Sequence, residues 1–122
     1  MSVSQFQIDS HGQRTHTCGA LRAEHIGQDI VLKGWVDTRR DLGGLIFVDL
    51  RDRYGITQIV FNPQDFPDAT RVAEDLRYEF VITVKGKAKA REVEARNTDL
   101  PTAAIEVMVE DVIVLNSADP LP

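Results

Sequence analysis

Period-two alternation of apolar and polar residues, recurring in five segments of a 122-residue chain, is the feature that most restricts the fold. In a strand, successive side chains point to opposite faces, so each such segment predicts one buried face and one outward face. Asp29 to Arg39 sets Ile30, Leu32, Gly34 and Val36 against Val31, Lys33, Trp35 and Asp37. A turn at Leu42-Gly43-Gly44 leads into a second strand, Leu45 to Arg51, with Ile46, Val48 and Leu50 inward. Arg53-Tyr54-Gly55 predicts a hairpin turn into a third strand, Ile56 to Phe61, which Asn62-Pro63 ends. Ala69, Val72, Ala73 and Leu76 then recur at helical spacing, behind a cap at Asp68 or a neighbour. Phe80 to Ala90 predicts a fourth strand, with Phe80, Ile82, Val84, Gly86 and Ala88 inward and Val81, Thr83, Lys85, Lys87, Lys89 and Arg91 outward. Asn97 to Pro101 breaks the chain before a fifth strand, Ile105 to Leu115.

Three strands, one short helix and two further strands predict an all-β domain: a five-stranded Greek-key barrel of the OB-fold type, with the helix between strands three and four plugging one end. Residues 1–13 are expected to form a flexible N-terminal extension, 14–115 the barrel, and 116–122, ending in Asp119-Pro120-Leu121-Pro122, a linker leading out of it. The length suits one domain with a real core. No apolar run is long enough to span a bilayer, and Met1 to Phe6 has neither the basic start nor the apolar stretch of a signal peptide. A single cysteine, Cys18, excludes an internal disulfide framework and suits a reducing compartment, so a cytoplasmic location is expected.

Charge sharpens the functional question. Fourteen Lys and Arg against nineteen Asp and Glu give −5, which speaks against indiscriminate binding of polyanions. The average conceals an uneven distribution. Residues 85–96 hold Lys85, Lys87, Lys89, Arg91 and Arg96 against Glu92 and Glu94, whereas the last 26 residues hold five acids and no base. A smaller excess of bases lies in residues 33–53, where Arg39 and Arg40 follow the first strand.

The outward faces supply the candidate site. Alternation places Phe47 on the polar side of the second strand, either packed under a loop or exposed as a platform on which a base stacks. On the third strand Ile59 and Phe61 face in, while Gln58 and Val60 face out. A four-residue turn at Asp52–Gly55 would set Asp49 opposite Gln58 and Phe47 opposite Val60, leaving Phe47 and Gln58 diagonal neighbours. The Gln58 amide donates and accepts, which suits the edge of a base, although an exposed strand glutamine is also an ordinary solvated residue. Lys85, Lys87 and Lys89 read either as protection of an exposed strand or as a rail for phosphates, with Arg39 and Arg40 flanking the same surface. Other constellations do not specify chemistry. His16, Cys18 and His25 lack the paired spacing of a metal site. Gly43-Gly44 is a turn and no phosphate-loop motif occurs. The carboxylates have no acid–base spacing, so no catalytic residue is assigned.

At these residues the chain resembles a known family. Arg14-Thr-His-Thr-Cys-Gly19, Gly34-Trp35-Val36, Arg39-Arg40-Asp41-Leu-Gly-Gly44, Phe47-Val-Asp-Leu-Arg-Asp52 and Gln58-Ile-Val-Phe61 are, as a linked set, similar to the start of bacterial-type aspartyl-tRNA synthetase, a class II aminoacyl-tRNA synthetase. The likeness runs from about Arg14 to Pro122. It implies an N-terminal OB-fold that binds the anticodon loop of an aspartate-specific tRNA. It also implies that Phe47 stacks an anticodon base, that Gln58 and Glu106 read base edges, and that Arg40 takes part in the same site. Phosphate contacts are expected of Arg39, Lys85, Lys87 and Lys89. A complete enzyme of this kind would use ATP and Mg2+ to attach aspartate to tRNA in the cytoplasm, as a homodimer formed through a catalytic domain that these residues do not match. No cofactor or metal is therefore expected in this chain, nor a membrane partner. The loop Arg91 to Thr102 is expected to bear on the first anticodon position. Two other readings stay open: a free-standing module that binds single-stranded RNA or DNA without sequence preference, and a barrel that binds a protein.

Overall fold

The computed structural model describes residues 14–91 and 101–116. The expected extension at 1–13, most of the break at 97–101 and loop at 91–102, and most of the linker lie outside the described residues. Among the described residues five strands, β1 (Asp29–Leu42), β2 (Leu45–Asp52), β3 (Gly55–Phe61), β4 (Val81–Ala90) and β5 (Ile105–Asn116), and one α-helix, α1 (Pro67–Ala73), follow in the expected order, behind a short 3-10 turn at Ala23–His25. They close into a barrel in the sequence β1-β2-β3-β5-β4, with β4 returning to β1. All neighbours are antiparallel except β3 and β5, which run parallel. Closure removes the unpaired edges that an open sheet of this composition would expose.

The turns explain the register. Leu42 pairs with Leu45, so Gly43-Gly44 is a two-residue hairpin loop with φ of +60° and +92°. Positive φ at both central positions is what a hairpin matched to strand twist requires, and glycine adopts it without a Cβ clash. Asp52 pairs with Gly55 across Arg53-Tyr54, which fixes Asp49 opposite Gln58 and Phe47 opposite Val60, as expected.

Inward residues fill the barrel. Leu32, Val36, Val48, Leu50, Ile59, Phe61, Ile82, Val84, Ile105 and Val107 are fully buried, each contributing about 1.5–3 kcal/mol relative to exposure. The helix packs on β3 and β5 and closes one end with Ala69 and Ala73, followed by Leu76. It differs from expectation at its start. The cap position is Phe66, with no side-chain cap bond, followed by Pro67, while Asp68 lies inside the first turn and pairs with Arg71. Proline at the first helical position has no N–H to leave unsatisfied, so a side-chain cap matters less there.

Two outward assignments on β4 are corrected. Thr83 is fully buried, and Arg91 is buried at the strand end, where its N–H donates to the Ala104 carbonyl. Between β4 and β5 the register shifts, Lys85 pairing with Asp111 but Gly86 with Val109. At Gly86 a Cβ would lie 2.1 Å from the Met108 carbonyl oxygen, so the two backbones meet there only because the side chain is missing.

At the opposite end of β2 and β3 from the helix, residues 14–28 cross the barrel. Thr15 exchanges hydrogen bonds with Val31, and Gly27 N–H donates to the Ala88 carbonyl. Cys18 and Leu21 enter the core. The buried Asp52 carboxylate ties this segment to the β2–β3 turn by accepting from the N–H groups of Cys18 (2.8 Å), Tyr54 (2.8 Å) and Gly55 (3.1 Å).

Candidate nucleic-acid interface

A break in the alternation of β1 builds the site. Trp35 and Val36 pair with Arg51 and Leu50, but Thr38 pairs with Asp49, so Asp37 is extra. A bulge of this kind moves every later side chain to the other face. Uninterrupted alternation would send Arg39 outward and Arg40 inward. Instead Arg40 is exposed and directly opposite Phe47, while Arg39 turns to the barrel end. There Arg39 donates to the carbonyls of Ala73 and Glu74 at 3.2 Å each, completing the C-terminus of α1, and pairs with Asp41. The structure therefore does not bring Arg39 together with Phe47.

Four expected residues do come together. The Arg40 guanidinium lies 5.7 Å from the centre of the Phe47 ring, within cation–π range. It also donates to Gln58 Oε1 at 3.3 Å. Gln58 Nε2 in turn donates to Glu106 Oε1 at 2.8 Å, linking β3 to the start of β5. Arg40, Phe47, Gln58 and Glu106 thus form a continuous row over four strands. Gln58 is only 5% exposed and Val60 2%, so the outward face of β3 is covered rather than open, which corrects the expectation of two outward residues there.

Burial and bonding orient the Gln58 amide, its oxygen toward a cation and its nitrogen toward a carboxylate. One N–H and one oxygen lone pair remain for a ligand. With the second Glu106 oxygen and the other Arg40 donors, the row offers donor, mixed and acceptor positions beside an aromatic face. That combination is suited to unstacked bases, which are recognised by stacking and by their polar edges.

The lysines are less uniform than their spacing suggests. Lys85 Nζ pairs with Glu110 at 2.8 Å and Lys87 with Asp29. The hydrogen bond and charge of Asp29 raise the Lys87 pKa, and the same contact lowers that of Asp29. Lys89 is exposed, makes no ion pair among the described residues, and sits opposite Glu106 across β4 and β5. It therefore flanks the row, whereas Lys85 and Lys87 lie farther along β4. The Thr38–Asp49 hydrogen bond of 2.8 Å, next to Phe47 and Gln58, has no signal in the sequence, because it depends on the bulge. Elsewhere the His16 and His25 rings meet edge to face at 4.8 Å, and the Cys18 thiol points at the Lys33 carbonyl.

Residues 30–115 match the family model of the OB-fold nucleic acid binding domain of the tRNA anticodon type, and the chain belongs to that family. Its relatives are more particular. The chain is 62% identical over 114 residues to the aspartate–tRNA(Asp/Asn) ligase of Salinibacter ruber, covering 93% of this chain and 18% of that protein. It is 51% identical over 110 residues to an aspartate–tRNA ligase of Listeria monocytogenes, covering 90% and 19%. Among solved structures, asparaginyl-tRNA synthetase from Pyrococcus horikoshii superposes with a TM-score of 0.73 at 30% identity, over 91% of this chain and 25% of that one. The chain thus spans less than a fifth of the length of these curated relatives, whose names agree with the synthetase resemblance of its motifs. Among the described residues no helix is long and apolar enough to cross a membrane.

Proposed function

We propose that this domain reads the anticodon loop of an aspartate-accepting tRNA on behalf of an aspartate–tRNA ligase. The observation that carries this reading is the row Arg40–Phe47–Gln58–Glu106, whose contacts join a half-buried aromatic ring to a fixed amide and a carboxylate. Phe47 stacks a splayed base, Gln58 and Glu106 read base edges, and Arg40 sits at the junction of stacking and reading. Lys89 extends the surface toward the backbone, and Lys85 and Lys87 contribute phosphate contacts once released from Glu110 and Asp29. Arg39 serves the phosphates indirectly, by anchoring α1 beside the strand that carries Arg40. The ligase works in the cytoplasm as a homodimer. ATP, Mg2+ and aspartate belong to its catalytic part, and no residue of these 122 is assigned to them.

Fluorescence titration of a labelled anticodon stem-loop tests the proposal. Phe47→Ala weakens binding by about 1–3 kcal/mol, the value of one base stack. Permuting the anticodon bases weakens binding to the unaltered protein. Equal affinity for all permutations favours a module without sequence preference, and unchanged binding by a folded Phe47→Ala protein removes the stacking role.

A further inference from the structure

The same outer face of β1 and β2 carries a second feature that the anticodon row does not use. Beyond the bulge, a cleft of about 380 Å³ opens among Arg14, Lys33, Trp35, Asp52, Arg53 and Tyr54. Three cations converge on it, and none pairs with a carboxylate among the described residues. The one acid in the lining, Asp52, is buried and already accepts three backbone N–H bonds, so it does not serve as their counter-ion by contact. The Arg14 guanidinium lies over the Tyr54 ring at 5.7 Å, which fixes one cation at the rim, while Lys33 is half-buried and Arg53 exposed. On a domain of net charge −5, a cleft lined by three cations, one buried carboxylate and two aromatic rings is a local inversion of sign.

Its position identifies the ligand. Trp35 pairs with Arg51, which lies four residues along β2 from Phe47. That is roughly 13 Å at strand rise, or about four base steps of a stacked strand. Between the two, Asp37 is paired with Arg51, and Asp49, which accepts from the Thr38 hydroxyl, is the one carboxylate on this path without a cation partner among the described residues. We propose that the cleft is a second phosphate-holding site, in which Lys33 and Arg53 grip the sugar–phosphate backbone of the stem adjoining the loop held at Phe47. This inference rests on the anticodon-loop reading and adds the stem to it. The row at Phe47 selects bases; the cleft orients the helix that leads away from them.

Binding of the whole 122-residue chain to two RNAs, an anticodon hairpin and its loop as a linear oligonucleotide, tests this. Lys33→Gln/Arg53→Gln is expected to weaken the hairpin about tenfold and to lower its salt slope by about 2, while the linear loop changes by less than about twofold. The charge-conserving pair Lys33→Arg/Arg53→Lys retains hairpin binding, and Trp35 emission responds to the hairpin but not to the loop. Unaltered affinity and slope in the Gln pair, with Phe47→Ala still weakening both RNAs, overturns the cleft proposal alone and leaves the surface to a protein neighbour. Equal losses on hairpin and loop overturn it as well, since they reflect general charge. If Phe47→Ala has no effect while the Gln pair weakens the hairpin, the cleft stands and the stacking role fails. A chain that binds neither RNA overturns both.

Discussion

Asp52 offers the sharpest test of how the barrel is held together at the cleft end. Its carboxylate is 9% exposed and accepts three backbone N–H groups, two on Oδ1 from Tyr54 and Gly55 and one on Oδ2 from Cys18. Asp52→Ala leaves all three donors without their acceptor. A hydrogen bond to a charged group contributes about 1.5–3 kcal/mol; because two of these share an oxygen, the joint loss is about 3–5 kcal/mol. That is a large share of the about 5–15 kcal/mol that stabilises a domain. Asp52→Asn keeps an oxygen for Tyr54 and Gly55 but turns an amide N–H toward the Cys18 N–H, so it costs about 1–2 kcal/mol. Urea unfolding followed by the emission of Trp35, the single tryptophan, measures both. Asp52→Ala should lower the midpoint by about 2–3 M at an unchanged slope. A loss under about 1 kcal/mol in Asp52→Ala, or one no larger than that of Asp52→Asn, refutes the argument that these three bonds anchor the segment.

Other consequences are equally open to measurement. Gln58→Ala separates Arg40 from Glu106 and should flatten discrimination among anticodon permutations by about 1–3 kcal/mol, the worth of one good edge contact, in competition titrations. Burial, with Asp52 alongside, pushes the Cys18 thiol well above its ordinary pKa. Iodoacetamide at mildly alkaline pH should therefore modify urea-unfolded chains and spare the folded protein, as read by mass spectrometry. Lys87 holds the Asp29 carboxyl below its usual range, so this pair adds stability above the unfolded carboxyl pKa of about 3.9 and loses it as pH falls through the lower folded value. The melting temperatures of the wild type and Asp29→Asn should accordingly converge on acidification and in high salt.

What the sequence made legible was whatever depends on period two and on turn chemistry. Gly43-Gly44 and Arg53-Tyr54 fixed two hairpins, and those hairpins put Phe47 and Gln58 on one surface. The bulge at Asp37 was invisible because nothing in Val36-Asp37-Thr38 distinguishes it from regular strand, yet it decides that Arg40 joins the site and Arg39 braces the helix. Glu106 came from family resemblance alone, since its contact with Gln58 depends on β3 and β5 meeting side by side from distant parts of the chain. The burial of Thr83 and Arg91 escaped alternation for a related reason: an outward side chain is exposed only if nothing lies over it. The cleft cations were visible one by one, but their convergence needs residue 14 to fold back onto the β2–β3 turn.

The parallel seam between β3 and β5 bears on timing as well as on shape. β4 and β5 are paired from Val81–Asn116 to Ala90–Ile105, whereas β3 meets β5 at Ile59–Val107 and Val60–Met108. The Gln58–Glu106 hydrogen bond lies immediately beside that short ladder and acts as its side-chain clasp. A base that recruits this amide or this carboxylate competes with the clasp, so selection of the ligand and breathing of the barrel draw on one reaction coordinate. Amide hydrogen exchange measured with and without a bound anticodon hairpin is therefore expected to change first at the short β3–β5 ladder, and the long β4–β5 ladder is expected to exchange more slowly.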